Sequence, residues 1–216
     1  MRRYGQAVND NRDPDPRALL AWGLVVGPVT FVSAWAVGGL RMPDYSPVHD
    51  AISRLAAAGS PQRALMSSGF VVYGVAQLFG GLAVRSSIIG RAWPAVMVNG
   101  VATLAVAALA LDVSDSADLA HGAAATVGYI SLGLVPALAA GPLDRAGHRR
   151  AAVVSAVASV AIGVCLAMTV TADAKGAFQR AGLGIGDVWL VAAGLVLARR
   201  RPPRVTRSTD PIPAGS

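Results

Sequence analysis

Six long apolar runs constrain the fold of this chain more than any other feature. They cover residues 18–40, 64–84, 92–111, 119–140, 151–170 and 181–198. Each is close to the roughly 20 residues that an α-helix needs to cross the hydrocarbon core of a bilayer. A helix satisfies its own backbone hydrogen bonds, as lipid surroundings require. The sequence therefore predicts an all-α, polytopic integral membrane bundle of six transmembrane helices.

The composition agrees with a membrane protein. Hydrophobic residues make up 54% of the chain and charged residues 14%, against roughly 25% charged in soluble domains. The first apolar run is longer than the roughly 7–15 apolar residues of a signal peptide, so we interpret it as a retained span. The single cysteine, Cys165, has no partner for an internal disulfide.

The basic residues predict the orientation. If the N-terminus is inside, 14 of the 19 lysines and arginines fall in inner segments and five in outer ones. This bias predicts that both termini are cytoplasmic and that the protein lies in the cell inner (plasma) membrane. Arginines beside anionic lipid account for the high pI, so the lipid bilayer is the expected partner and nucleic acid is not.

The sequence divides into three parts. Residues 1–17 and 199–216 are polar and proline-rich without an apolar period, which is typical of disordered segments. Both should be cytoplasmic. Residues 18–198 form the predicted six-helix transmembrane domain, and we find no internal repeat of the kind that many transporters have.

The first outer loop contains the stretch "YSPVHDAISRLAAAGSP", residues 45–61. Ser46 before Pro47 is a favourable helix start, and apolar residues follow at helical spacing. These features predict a short amphipathic helix over 47–58 with Ser53 and Arg54 on its polar side. It could lie on the bilayer surface, or it could cap the bundle and present polar groups to a cavity.

The second outer segment, "DVSDSADLAH", has acidic residues and a histidine at every third position. Metal binding and a solvated acidic loop are the two interpretations of this pattern. On one helix only Asp118 and His121 would share a face, because nine residues separate Asp112 from His121 by about half a turn. We therefore expect no bound metal. The imidazole of His121 lies inside the fourth span. It should therefore form a hydrogen bond with a neighbouring helix or reach the membrane interface.

The sixth span contains an ionisable pair. Arg180 and Asp187 are seven residues apart, so they share a helix face, and Asp187 lies about 10 Å deeper. A carboxylate at that depth should face a polar cavity or a cation, so either a binding site or a structural ion pair fits. The small residues of "GLGIG", 182–186, indicate close helix packing rather than nucleotide binding.

The segments described above resemble the bacterial six-span membrane family catalogued as domain of unknown function 998. The resemblance covers about residues 18–198. Its motifs are an Ile-Ser-x-Leu core followed by small residues, an acidic segment before a His-bearing fourth span, and a Gly-x-x-Gln-Arg entry to the last span. The matching residues are Ile52, Ser53, Leu55, Gly59, Gly69, Phe70, Asp112, Asp115, His121, Gly176, Gln179 and Arg180.

Two positions depart from the family pattern. Arg54 stands where an acidic residue is usual, and Val113 stands where a proline is common. The resemblance implies six helices and the same outer-facing motifs, and it implies no reaction.

Three classes of function fit these features. The best supported is a membrane protein with an outer-facing polar pocket for a small molecule, a lipid headgroup or an ion, transport included. An intramembrane enzyme for a lipid or isoprenoid substrate is less favoured, because nucleophile-elbow, P-loop and HExxH motifs are missing from the sequence. A structural or accessory subunit is the third class. We expect no cofactor. The ligand-binding candidates are Ser53, Arg54, Asp112, Asp115, His121, Gln179, Arg180 and Asp187.

Overall fold

The computed structural model describes residues 15–199, and these form helices, turns and loops without a strand. Most of the two end segments predicted to be disordered, residues 1–14 and 200–216, lies outside the described residues. The helices are α1 Pro16–Ala21, α2 Gly23–Arg41, a 3-10 helix Ile52–Ala56, α3 Arg63–Arg85, a 3-10 helix Gly90–Ala92, α4 Trp93–Ala108, α5 Asp115–Arg145, α6 Arg149–Thr171 and α7 Lys175–Ala198.

Six of these segments are long and apolar enough to cross a membrane, which confirms the predicted six-helix bundle. The first span combines α1 and α2, which meet at Trp22. The fourth span is longer than its apolar run, because the Ser114 hydroxyl caps the helix and two aspartates lie in its first turn. Its 31 residues are about 46 Å long at 1.5 Å per residue, so α5 extends beyond a hydrocarbon core of about 30 Å.

Consecutive spans pack against each other, and α7 closes the bundle against α2. Glycines allow the closest approaches. A Cβ on Gly100 of α4 would lie 2.8 Å from the Gly74 carbonyl oxygen of α3. In α7, Gly182 packs on Cys165 of α6 and Gly186 packs on Leu132 of α5. The last two contacts confirm that "GLGIG" is a helix-packing segment.

Residues 42–62, 109–114 and 172–174 connect the spans at one membrane face, which we call the long-loop face. Residues 42–62 fold back over the ends of the helices, and we call this segment the cap. Ile52 and Leu55 of the cap are buried against the bundle. The cap therefore rests on protein, not on the bilayer surface.

The predicted helix over 47–58 is wrong in its extent. Ser46 does cap a single turn, but Ala51 is extended, and only Ile52–Ala56 form a short 3-10 helix. The reason is competition for the backbone groups. The carbonyls of Pro47 and Asp50 accept hydrogen bonds from the Arg180 side chain, so they are not used in a continuous helix.

Candidate functional site

A cavity lies inside the half of the bundle that is nearer the long-loop face. Its volume is about 60 Å³. One water needs roughly 10–15 Å³ by the same measure, so the cavity has room for a few waters or a small ligand group. Helices α2–α5 and α7 form its walls, and the cap covers it with Ile52 and Ser53. Its polar wall residues are Ser53, Tyr73, Asn99, Thr103, His121, Tyr129 and Gln179.

His121 lies on the cavity wall and is only 4% exposed. Its Nδ1 is 2.5 Å from the carbonyl oxygen of Leu109, just after the end of α4. A carbonyl accepts hydrogen bonds, so Nδ1 carries the hydrogen and, in the neutral ring, Nε2 is left as an acceptor. Within residues 15–199, buried Nε2 has no hydrogen-bond partner. Of the two arrangements expected for His121, the structure has the hydrogen bond, here to the residue that follows α4, and its second nitrogen remains available.

Asn99 presents a second unpaired acceptor. Its Nδ2 donates to the Gly128 carbonyl at 2.9 Å, which holds α4 against α5. Its Oδ1 is buried and has no partner among the described residues. The sequence interpretation missed this residue, although an asparagine in the middle of an apolar run is a signal of helix contact or function.

Gln179 connects α7 to the cap. Its Oε1 accepts a hydrogen bond from the Ile52 backbone N–H at 2.7 Å. Gln179 also lines the cavity, where it lies next to the Tyr129 hydroxyl. Tyr129 and Tyr73 are cavity residues that the sequence interpretation missed. Both are tyrosines well inside a span, away from the interface where tyrosine is common.

Arg180 fastens the cap to the bundle. Its Nη1 donates to the carbonyls of Pro47, Asp50 and Gly176 at 2.7, 3.0 and 2.9 Å. Its Nη2 donates to the Tyr45 hydroxyl, and its guanidinium also lies over the Trp35 ring at 5.4 Å. The guanidinium therefore stabilises the folded conformation of the cap.

Tyr45 completes this anchor. Burial raises the pKa of its hydroxyl above 10.0, although the nearby Arg180 charge acts in the opposite direction. The hydroxyl therefore keeps its hydrogen at neutral pH, and it donates this hydrogen to the Ala51 carbonyl at 3.2 Å.

Asp187 lies at the middle of α7 and is 4% exposed. Neither carboxylate oxygen has a hydrogen-bond partner in the described part of the chain, although the Tyr73 hydroxyl is nearby. Arg180 is two helical turns away and points to the cap. The cavity wall therefore includes neither Arg180 nor Asp187, and it is formed at Gln179, Leu183 and Tyr73 instead.

The acidic segment supports the other side of the cap. Arg54 forms a salt bridge with Asp112, with Nη1 at 2.9 Å from each carboxylate oxygen. The Asp112 backbone N–H donates to the Asp118 side chain at 2.9 Å. Asp115 lies in the exposed first turn of α5. Of the predicted candidates, the cavity wall includes Ser53, His121 and Gln179, and it does not include Arg54, Asp112, Asp115, Arg180 or Asp187.

We predict that detergent-purified protein contains no stoichiometric metal. Asp112 and Asp118 are engaged in the cap contacts, and His121 points to Leu109. Elemental analysis of the wild type and of His121→Ala measures this. One equivalent of zinc in the wild type that is lost in the variant would contradict the prediction.

Comparison with known proteins identifies a family. The family model for proteins of unknown function (DUF998) matches residues 25–196. No curated protein and no solved structure matches the chain. The matched range begins in α2 and ends in α7, so it includes the cavity and the cap. The chain belongs to the DUF998 family of proteins of unknown function.

Proposed function

We propose that this six-span membrane protein binds a small ligand in the cavity beneath the cap, through hydrogen bonds that the ligand donates. The observation that carries the proposal is the pair of buried acceptors on the cavity wall, His121 Nε2 and Asn99 Oδ1, which lack partners within residues 15–199. A buried polar group without a partner costs about 1–3 kcal/mol. A bound ligand that donates from an amine or from two hydroxyls could remove this cost at both residues.

The surroundings of the acceptors favour a ligand that is part apolar. Phe31, Phe70 and Val106 contribute apolar surface to the same cavity. Binding pockets between helices commonly combine apolar walls with a few polar groups that orient the ligand. Small amino alcohols, polyols and lipid headgroups share this chemistry. The proposal therefore covers a free small molecule or the headgroup of a lipid, and it includes transport of either.

Thermal unfolding in detergent tests the proposal with named probes. Ethanolamine and glycerol donate hydrogen bonds, and 1,2-dimethoxyethane only accepts them. The two donors should raise the Tm of the wild type with the logarithm of their concentration, and at ten times the Kd the added stability should be about 1.4 kcal/mol. Dimethoxyethane should not.

The matched control is a filled cavity. Ala125 lines the cavity and is only partly buried. A leucine at this position should therefore fill the cavity, so Ala125→Leu should abolish the rise in Tm that the donors cause. An equal shift in the variant would show that the donors act elsewhere. No shift with either donor in the wild type would end the proposal.

We further propose that the long-loop face is the outer face of the plasma membrane, so that both termini are cytoplasmic. The arginine bias supports this orientation. In a Cys165→Ala background, single cysteines would replace Val113, which is 63% exposed on the long-loop face, and Ala146, which is exposed in the opposite loop. An impermeant maleimide should label the Val113→Cys protein in intact cells.

The Ala146→Cys protein should be labelled only after the cells are broken. It serves as the control for membrane integrity in the intact cells. The reverse pattern of labelling would invert the proposed orientation and place the cavity on the cytoplasmic side.

A further inference from the structure

Asp187 is the most unusual group in the bundle that the proposed ligand site does not use. It lies in the middle of a span, its carboxylate is buried, and within the described residues neither oxygen accepts a hydrogen bond. Ionisable residues at this depth are costly, and they mark ion or proton sites in membrane proteins. The negative charge of this carboxylate therefore requires a neutralising partner.

Within the described residues 15–199, the elements packed against α7 supply no cation to Asp187. Helix α3 brings the Tyr73 hydroxyl next to the carboxyl, and α5 brings the Tyr129 hydroxyl further off. Arg180, on α7 itself, directs its guanidinium to the cap carbonyls and Tyr45. Cys165 is the titratable group that α6 brings to α7, at Gly182. The titratable side chains of α1 and α2, Arg17 and Arg41, lie at the two ends of the first span.

A metal ion fits these surroundings poorly. Hard cations take about six or more oxygen ligands, and ions such as zinc take about four nitrogen, sulfur or oxygen ligands. Within residues 15–199, no group of three acidic, histidine or cysteine side chains is close enough to bind a metal. A proton requires only one carboxylate oxygen. The resulting acid can donate a hydrogen bond to the neighbouring Tyr73 hydroxyl.

We infer that Asp187 is a proton-binding site, and that an exchangeable proton from solvent is the partner that neutralises its carboxylate inside the membrane. The site is distinct from the cavity acceptors His121 and Asn99, so it does not depend on the ligand proposed above. Tyr73 lines the cavity and its hydroxyl lies near Asp187, so it provides a route by which a proton from the cavity reaches the carboxyl.

The proton site is also connected to the cap. Tyr129 lies near both Gln179 and Asp187, and Gln179 accepts the hydrogen bond of the Ile52 backbone N–H. Loss of the proton would place a negative charge beside this chain of polar groups.

Infrared spectroscopy of the full chain in vesicles of ether-linked lipid, which lacks the ester carbonyls that absorb in the same region, tests the inference. A protonated carboxylic acid has a carbonyl stretch that a carboxylate lacks, and an ordinary aspartate in water is a carboxylate at neutral pH. The wild type should show one such band at neutral pH, with a small shift in D2O. Asp187→Asn preserves the shape of the neutral acid, and it should lose the band.

The matched control is Asp173→Asn, an exposed aspartate on the long-loop face, which should retain the band. Tyr73→Phe gives an independent assignment if Asp187→Asn does not fold, because removal of the neighbouring hydroxyl should shift the band without abolishing it. A wild type without the band would overturn the inference. So would a band that persists in Asp187→Asn, or one that Tyr73→Phe leaves unshifted.

Discussion

Replacing Arg180 with glutamine should release the cap from α7 and lower the free energy of unfolding by about 2–4 kcal/mol, because several charge-assisted hydrogen bonds are lost together. The carbonyls of Pro47 and Asp50 lose their donor at once. Thermal unfolding in detergent measures the loss. Hydrogen exchange at the backbone of residues 45–56 should accelerate more than exchange in the helices.

Two further variants distinguish this anchor from a general effect of charge. Arg180→Lys keeps the charge but lacks the planar guanidinium that reaches several acceptors, so it should recover little of the lost stability. Arg54→Gln removes an arginine of the cap whose salt bridge is exposed, and it should cost less than about 1 kcal/mol. Equal losses for Arg180→Gln and Arg54→Gln would refute the role given to Arg180.

Replacing Gly100 with alanine should also destabilise the bundle, by about 1–3 kcal/mol, because α3 and α4 must move apart. The added Cβ would lie 2.8 Å from the Gly74 carbonyl oxygen, and backbone atoms do not yield as a flexible side chain does. Asn99 is adjacent in sequence, so the shift should also change the cavity wall. Thermal unfolding in detergent reports the first effect, and loss of donor binding reports the second.

The matched control is Gly163→Ala in α6, where an added Cβ has nothing within 4 Å. Alanine favours a helix over glycine by about 1 kcal/mol, so this variant should be neutral or slightly stabilised. If Gly100→Ala is as stable as Gly163→Ala, the close contact between α3 and α4 does not contribute to the stability of the bundle as the structure indicates.

The six spans were predictable because the length of an apolar run depends only on the residues of that run. Each helix needs only its own residues to satisfy its backbone in lipid, so the bounds of α3 and α6 differ little from the apolar runs. The packing of "GLGIG" was predictable for a similar reason, since small residues on a membrane helix allow close contact with another helix. The resemblance to the DUF998 family is confirmed by the match over residues 25–196.

The cap was not predictable in detail, because its partners are distant in sequence. Residue spacing paired Arg180 with Asp187, whereas the guanidinium binds carbonyls that lie 133 and 130 positions earlier in the chain. Backbone carbonyls carry no sequence signal, so a search for opposite charges overlooks them. Arg54 likewise binds Asp112. This pair can form only because the first and second loops of the long-loop face meet.

The cavity was predicted only in part. Ser53, His121 and Gln179 are on its wall, and motif resemblance and polarity had selected them. Asn99 and Tyr129 were overlooked because one polar residue in an apolar run does not reveal which side of the helix faces the interior. A ligand-binding role for any of these residues remains a prediction.

The cap is attached differently on its two sides, and ionic strength should distinguish them. On the α4–α5 side the attachment includes the Arg54–Asp112 pair, whose side chains are 50% and 44% exposed. On the α7 side the Arg180 guanidinium is partly buried and bonds mainly to uncharged carbonyls. The Debye length falls from about 8 Å at physiological salt to about 3 Å at 1 M, so salt screens the exposed pair far more than the anchor at Arg180. Concentrated salt should therefore weaken the attachment of the cap at α4 and α5 more than its attachment at α7.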